Sequence, residues 1–451
     1  LRLPIPKSYF PRWTVRRDGF VAPDETLPLG QTLIAGAQHV VSMFGGTVLG
    51  PILMGFDPGA AILFSGLATL LFFVVVGGRL PSFLGSSFSF IAVVIAATGY
   101  SGTGPNANIA VALGGVMAAG AAYAASGLLV MLIGFRWIET LMPPVVTGAI
   151  VASIGLNLAP VAIRDMSGGG FANAIGLLTI VAVCATATYA RGILGRLPIL
   201  AGGGLAYGVY VLLANGFGFA PAIDFTNLSN APWLGLPAFS RPVFEPRAIM
   251  LIAPVAIILI AENLGHVKAI GAMTGRNMDP LLGRAFFADG LATMLSAAGG
   301  GPGVTTYAEN IGVMAVTRNT STLIFVVAGV VATGLGLSPK FGAAIQTIPQ
   351  PVMGGLSVVI FGLIAATAGR IWIENAVDFS RPRNLMTVGV TLVAGAGDMT
   401  IQAFGFSLGG IGTATIGSIC LYQLLRRGAA PIPIASADPA APGPYATAGE
   451  S

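Results

Sequence analysis

Apolar residues along this chain gather in runs long enough to span a bilayer core of roughly 30 Å, which takes about 20 residues of α-helix. Short knots of Gly, Pro, Asp and Arg separate the runs. The pattern predicts an all-α membrane protein of about 14 transmembrane segments, over residues 28–49, 58–76, 83–98, 107–134, 143–161, 171–189, 197–215, 247–268, 284–298, 304–317, 320–338, 343–369, 384–399 and 407–425. The third and tenth are too short to cross as regular helices. Directly before the tenth lies Gly299–Gly303, four glycines and a proline, followed by Thr305-Thr306-Tyr307-Ala308-Glu309-Asn310. Irregular backbone at membrane depth is tolerated only where protein or a watery cavity satisfies it. A carboxylate there costs about 2.5–3.5 kcal/mol on insertion scales, which marks Glu309 as a functional candidate.

Composition agrees with the pattern. The chain is 55% hydrophobic and 9% charged, where a soluble protein carries about 25% charged residues. Its net charge of +5 is explained by placement rather than by a nucleic-acid partner. With the N-terminus inside, every Lys and Arg except Arg164, Arg241, Arg247 and Lys340 falls on the inner side, 18 of 22. That bias places both termini in the cytoplasm. Cys184 and Cys420 lie in apolar segments and are expected to be packed thiols without a disulfide framework. Residues 1–27 lack the apolar core of a signal peptide and read as a cytoplasmic segment. Residues 216–246 form the longest polar connection, and the Ala/Pro-rich tail over 428–451 is expected to be disordered.

The two halves repeat. Gly85-Ser86-Ser87-Phe88-Ser89-Phe90-Ile91 precedes Met142-Pro143-Pro144-Val145-Val146-Thr147-Gly148, and Val304-Thr305-Thr306-Tyr307-Ala308-Glu309 precedes Ile348-Pro349-Gln350-Pro351-Val352-Met353-Gly354. Each copy sets two hydroxyl residues before an aromatic and then opens a later segment on prolines. Seven segments per half is an odd number, so the copies are inverted: a 7+7 repeat. Inverted repeats with broken segments at matching positions point to a secondary transporter with a midplane site.

Ionisable residues inside the segments are few and clustered. Glu262 and His266, four apart, share one helix face; Glu309 follows the glycine break, and His39 lies in the first segment. Carboxylates accept from the ring N–H groups of a small heterocycle, and freed amides around Ser87–Ser89 and Tyr307–Glu309 donate to ring carbonyls. Phe88 and Tyr307 offer faces for a flat ring. Glu262, His266 and Glu309 are candidate proton-coupling groups, since burial tunes their titration. Plainer readings stand beside these. Glu262 is then a packing charge, Glu309 caps a short helix, and His266 pairs near the inner interface beside Lys268. His39, Phe88 and Tyr307 become packing residues, and Asp289 and Asp398 interfacial ones.

Glu309-Asn310-Ile311-Gly312, four residues and then Thr317-Arg318 complete a signature, and the chain resembles the nucleobase–ascorbate transporter (nucleobase:cation symporter-2) family. Gln38-His39, Leu84-Gly85-Ser86-Ser87-Phe88, Ala261-Glu262-Asn263-Leu264-Gly265-His266 and Thr305-Thr306-Tyr307 match further family blocks in order. Glu at the first signature position, together with Val21-Ala22-Pro23-Asp24-Glu25 and Met273-Thr274-Gly275-Arg276-Asn277-Met278-Asp279-Pro280, is most similar to bacterial uracil and pyrimidine permeases. The resemblance implies short antiparallel strands in segments three and ten. It implies a core domain over 28–134 and 247–338, a gate domain over 143–215 and 343–425, and the extracytoplasmic loop 216–246 between them. Phe88, Glu262, Tyr307, Ala308 and Glu309 are then expected at the substrate, with Phe88 and Ala308 contributing backbone amides. Glu262, His266 and Glu309 are expected in proton coupling, and His39, Ser87, Thr306 and Asn310 in support. Ala308 stands where uracil carriers often have Gly, and its methyl narrows the pocket. A homodimer is a further implication of the resemblance.

The function expected is a proton-coupled symporter importing uracil or a related pyrimidine across the cytoplasmic membrane by alternating access. Its cofactor need is none beyond the coupling proton, and its partners are the nucleobase and the lipid bilayer. A purine (xanthine or uric acid) permease is the nearer alternative. An anion exchanger or channel of the same architecture is the other, weighed against by two carboxylates near the site. No metal-binding cluster or nucleophile–base motif suggests an enzyme.

Overall fold

The apolar runs fold as helices and the Gly- and Pro-rich knots as breaks, in a computed structural model that describes residues 8–17, 19–100, 104–191, 195, 197–403 and 406–427. The tail over 428–451, expected to be disordered, lies outside the described residues, as does 1–7 of the N-terminal segment. Short parallel strands β1 (Thr14–Val15) and β2 (Glu25–Thr26) come first. The first predicted segment is two helices, α1 (Leu29–Ser42) and α2 (Phe44–Met54), broken at Met43. α3 (Pro58–Val75) starts sharply because Asp57 accepts from the Ala60 N–H at 3.0 Å and Pro58 occupies the first turn. The third segment is β3 (Leu84–Ser86), a tight turn at Phe88–Phe90 and the short α4 (Ile91–Thr98). Then come α5 (Ile109–Ile133), α6 (Arg136–Leu141), α7 (Pro144–Met166), α8 (Gly170–Tyr189) and α9 (Pro198–Val211).

The second half begins at the end of the loop 216–246. α10 (Pro246–Ile252) and α11 (Val255–Thr274) are separated by Ala253-Pro254, and α12 (Leu282–Ala298) leads into the glycine run. The tenth segment is β4 (Val304–Thr306) and the ten-residue α13 (Ala308–Thr317). Then follow α14 (Thr322–Gly336), α15 (Pro339–Gln346), α16 (Gln350–Glu374), α17 (Pro382–Ala396), strands β5 (Ile401–Ala403) and β6 (Phe406–Leu408), and α18 (Gly410–Arg427).

Among the described residues, eight helices are long and apolar enough to cross a membrane, counting α1–α2 and α10–α11 as one each. The number is nine if α14 and α15, bent by 80°, form one broken span. Several of the fourteen predicted segments fall below that length because they are strand-and-short-helix units or, like α17, only 15 residues long.

The helices sort into two packed groups. In one, α3 lies along α14 and α5 along α12, with α1 on α14 and α10 on α5. In the other, α7 lies along α16, with α8 on α16, α17 on α7, α9 on α8 and α18 on α17. β3 and β4 pair antiparallel inside the first group, in register Leu84 with Thr306 and Ser86 with Val304. Thr69 of α3 accepts from the Leu84 N–H at 3.0 Å, and Thr293 of α12 accepts from the Val304 N–H at 3.3 Å. Each strand's opening amide is therefore satisfied by a threonine of the preceding helix, which lets strand backbone exist away from water.

Small residues allow the helices to approach closely. A Cβ added at Gly290 of α12 would sit 2.3 Å from the Ala124 nitrogen of α5. Backbone cannot swing aside as a side chain can. Gly290→Val is therefore expected to force α12 off α5 and destabilise the protein by about 3 kcal/mol, the upper range of overpacking. Thermal unfolding of the purified variant measures this, and an unchanged midpoint would refute the contact. Cys184 and Cys420, expected to be packed, are free and exposed on helix surfaces instead.

Candidate functional site

β3 and β4 end where two helix N-termini begin, and this junction builds the site. The chain leaves β3 through Ser87, whose N–H donates to the Gly303 carbonyl at 2.9 Å and whose hydroxyl accepts from the Ser89 N–H at 3.3 Å. It leaves β4 through Tyr307, whose N–H donates to the Phe83 carbonyl at 3.1 Å. Phe88 and Ala308 then each start a helical turn, where the first amides have no intrahelical partner. Glu309 lies in the first turn of α13, where the partial positive charge of a helix N-terminus favours a carboxylate.

A cavity of about 580 Å³ opens between the two packed groups, within the range of small-molecule sites. Phe88, Ser89, Glu262, His266, Ala308 and Glu309 line it from one group, and Thr147, Val151, Ile154, Ile364 and Thr367 from the other. It continues past Met273 and Ala315 toward Arg370 and Glu374. Glu262 Oε2 is buried without a protein partner, so this carboxylate is left open to a ligand. One turn along α11, His266 Nδ1 stands 2.8 Å from Thr306 Oγ1, which ties the imidazole to β4. Phe88 meets Phe361 of α16 edge to face, with centroids 5.8 Å apart.

Of the residues predicted from sequence, Phe88, Glu262, His266, Ala308 and Glu309 are thus brought together on one wall. Tyr307 is not. Its ring packs over Gly85 and Gly46, and its hydroxyl donates to the Ser86 carbonyl at 2.7 Å. It locks the two strands together instead of facing the cavity. His39 and Asn310, expected to support the site, are both buried, and the Asn310 amide donates to His39 Nδ1 at 2.9 Å.

Sequence reasoning missed a second buried cluster. Asp289, expected at an interface, is fully buried in α12. Its Oδ2 accepts from the Asn263 amide and lies 3.4 Å from the Tyr123 hydroxyl. Asn263 also donates to Tyr123 Oη at 2.9 Å, and Tyr123 reaches the Leu259 carbonyl at 3.2 Å. The cluster joins α5, α11 and α12 immediately behind Glu262. The available signal was Asp289 beside Gly290, a charge at a small-residue helix contact.

A sequence model of the Permease family matches residues 30–404. The chain is 57% identical over 428 residues to the "Putative pyrimidine permease RutG" of Escherichia coli (strain K12), covering 94% of this chain and 97% of that protein. It is 38% identical to the "Uracil permease" of the same strain, covering 89% and 93%. The "Uracil permease" of Bacillus caldolyticus is 36% identical, covering 88% and 92%. Among solved structures, the overall structure of SLC26A9 superposes with a TM-score of 0.62 at 12% identity, covering 87% of this chain and 65% of that one. The transmembrane domain of the cyanobacterial bicarbonate transporter BicA gives 0.58 at 16%, covering 87% and 97%. At such identities the likeness concerns the fold alone.

Proposed function

This chain belongs to the nucleobase–ascorbate transporter family, matched as a permease over residues 30–404, and from that premise we propose a proton-coupled symporter. It is a multi-pass membrane transporter of nucleobases and not an enzyme. The finer reading is import of uracil or a related pyrimidine across the cytoplasmic membrane by alternating access, with both termini inside.

The observation that carries the reading is the cavity between the two helix groups, with Glu262 and Glu309 on one wall beside Phe88. A pyrimidine ring presents N–H donors, carbonyl acceptors and two flat faces. Carboxylates match the donors, the free amides at Phe88 and Ala308 match the carbonyls, and the Phe88 ring matches a face. An isolated carboxylate needs a proton or a donor when the ligand seals it from water. Glu262, with an unpartnered oxygen, and His266, held by Thr306, are our candidates for the coupling proton. Glu309 shares that role in this reading.

The fourteen-segment, 7+7 architecture is part of the proposal, and the packing supports it. If each segment is exchanged for the one seven places on, α3 on α14 becomes α12 on α5, and α1 on α14 becomes α10 on α5. Likewise α8 on α16 becomes α17 on α7, and α9 on α8 becomes α18 on α17. Thr69 at β3 becomes Thr293 at β4. In this reading the first group is the core domain and the second the gate. The cavity, continuing toward Arg370 on the basic side of the chain, faces the cytoplasm. A homodimer is included on the family resemblance.

Uptake of radiolabelled uracil into proteoliposomes with an inward pH gradient tests the proposal. Accumulation above equilibrium that collapses with a protonophore is expected. Equilibration without accumulation would remove the symport, and stronger competition by xanthine than by unlabelled uracil would favour the purine alternative.

A further inference from the structure

Two stretches flanking the site's helices in sequence meet at the same end of the molecule. Val21-Ala22-Pro23-Asp24-Glu25 precedes α1, and Gly275-Arg276 follows α11. The Arg276 guanidinium donates to Asp24 Oδ1 at 2.7 Å. That hydrogen bond holds the Asp24 carboxyl below its ordinary pKa, which favours its charged form. Glu25 in turn accepts from Arg16 at 2.9 Å and from the Ala22 N–H at 2.9 Å, which shapes the turn that presents Asp24.

The same turn grips α13. The Val21 N–H donates to the Arg318 carbonyl at 2.9 Å, and the Thr320 N–H and hydroxyl donate back to the Val21 carbonyl at 2.9 and 2.7 Å. Arg318 ends α13 in the left-handed region, at φ 53°. Of α13's ten residues only Asn310 and Met314 are buried. So short a helix is marginal alone and depends on what holds its ends. β4 holds its beginning, and the Val21 turn holds its end. Upstream, the Trp13 indole N–H donates to Thr322 Oγ1 at 2.9 Å, and Tyr9 Oη lies 2.8 Å from the Val74 carbonyl. These anchor the segment to α14 and α3 of the same helix group.

We propose that the Val21–Glu25 turn is a positioning clasp, which fixes α13 relative to α11 and thereby sets the spacing of Glu309 and Glu262. It does so from the helix ends opposite the carboxylates and touches no substrate. Its effect on affinity rests on the proposed nucleobase reading, whereas its effect on α13 does not.

The test compares full-length Asp24→Arg, Arg276→Asp and the double exchange in proteoliposomes. Two readings are taken: the KM and maximal rate of uracil uptake, and hydrogen exchange of the amides of residues 310–318. An exposed ion pair sets a modest scale. Each single variant is expected to raise KM about three- to five-fold and to speed exchange in α13. The double exchange restores the pair with charges reversed and is expected to recover most of both effects. Val21→Pro, which deletes the donor to Arg318 but keeps an apolar residue, is expected to speed α13 exchange through the other half of the clasp. Unchanged exchange in the singles and in Val21→Pro would overturn the clasp, as would a double exchange no better than either single. Faster exchange with no uracil uptake by the wild type would sustain the clasp and sink the substrate reading.

Discussion

Glu262→Gln is expected to abolish pH-gradient-driven accumulation of uracil and to cut initial uptake by about 10- to 100-fold. The size follows from the bond at stake. A hydrogen bond to a charged group contributes about 1.5–3 kcal/mol, and each 1.36 kcal/mol is tenfold. Gln keeps the length of Glu, so the wall around the 580 Å³ cavity should keep its shape. What changes is chemistry. The amide offers one acceptor where the carboxylate offers two, and it cannot take up and release a proton. Glu309→Gln is expected to weaken uptake comparably, with a further loss of about 0.3–1 kcal/mol of favourable interaction with the N-terminus of α13. Uptake at several pH values, with and without a gradient, separates the two contributions. Lost accumulation with retained equilibration would place coupling at the substituted residue, and wild-type accumulation by Glu262→Gln would remove it from the mechanism.

Much of this cavity wall was legible in the sequence, and the reasons differ by residue. Glu262 and His266 announced themselves as ionisable residues one helical turn apart in an apolar run, and α11 does present both to one cavity. Glu309 followed from the glycine break, whereas Ala308 followed from the family resemblance; a strand entering a short helix leaves the first amides exposed there. Tyr307 misled because strand side chains alternate in direction. Thr306 reaches His266 on one side, and Tyr307 turns to the Ser86 carbonyl on the other. Which face met the cavity depended on pairing with β3, a contact across more than two hundred residues that no local pattern encodes. The breaks inside the first and eighth segments were missed for a different reason. Gly45-Gly46 lie just after Met43, and Pro254 sits inside the eighth run, so each break carried a local signal that the length of the run masked.

The largest stability effect outside the helix contacts is expected from Asp289→Ala. The carboxylate is fully buried, and Asn263 and Tyr123 are arranged around it. Truncation removes this acceptor: the Tyr123 hydroxyl keeps the Leu259 carbonyl and the Asn263 amide keeps Tyr123 Oη, but the Asn263 N–H that met Asp289 is left without a partner. Each buried group left unsatisfied costs about 1–3 kcal/mol, and the vacated volume adds a cavity term. In membranes such polar contacts average nearer 0.6 kcal/mol because the unfolded reference finds other partners, so about 2–4 kcal/mol in total is expected. Asp289→Asn keeps the volume and one carbonyl acceptor for Asn263, so it should lose less than half as much. The two variants also differ in reach. Asn263 adjoins Glu262 on α11, and its grip on Asp289 fixes the rotation of that helix. Asp289→Ala is therefore expected to lower both the thermal midpoint and uracil affinity, although residue 289 does not line the cavity. Thermal unfolding and equilibrium uracil binding on the same preparations test this. A destabilised Asp289→Ala with unchanged affinity would confine the cluster to folding, and equal midpoints for the Ala and Asn variants would show that the hydrogen bonds to Asp289 contribute nothing.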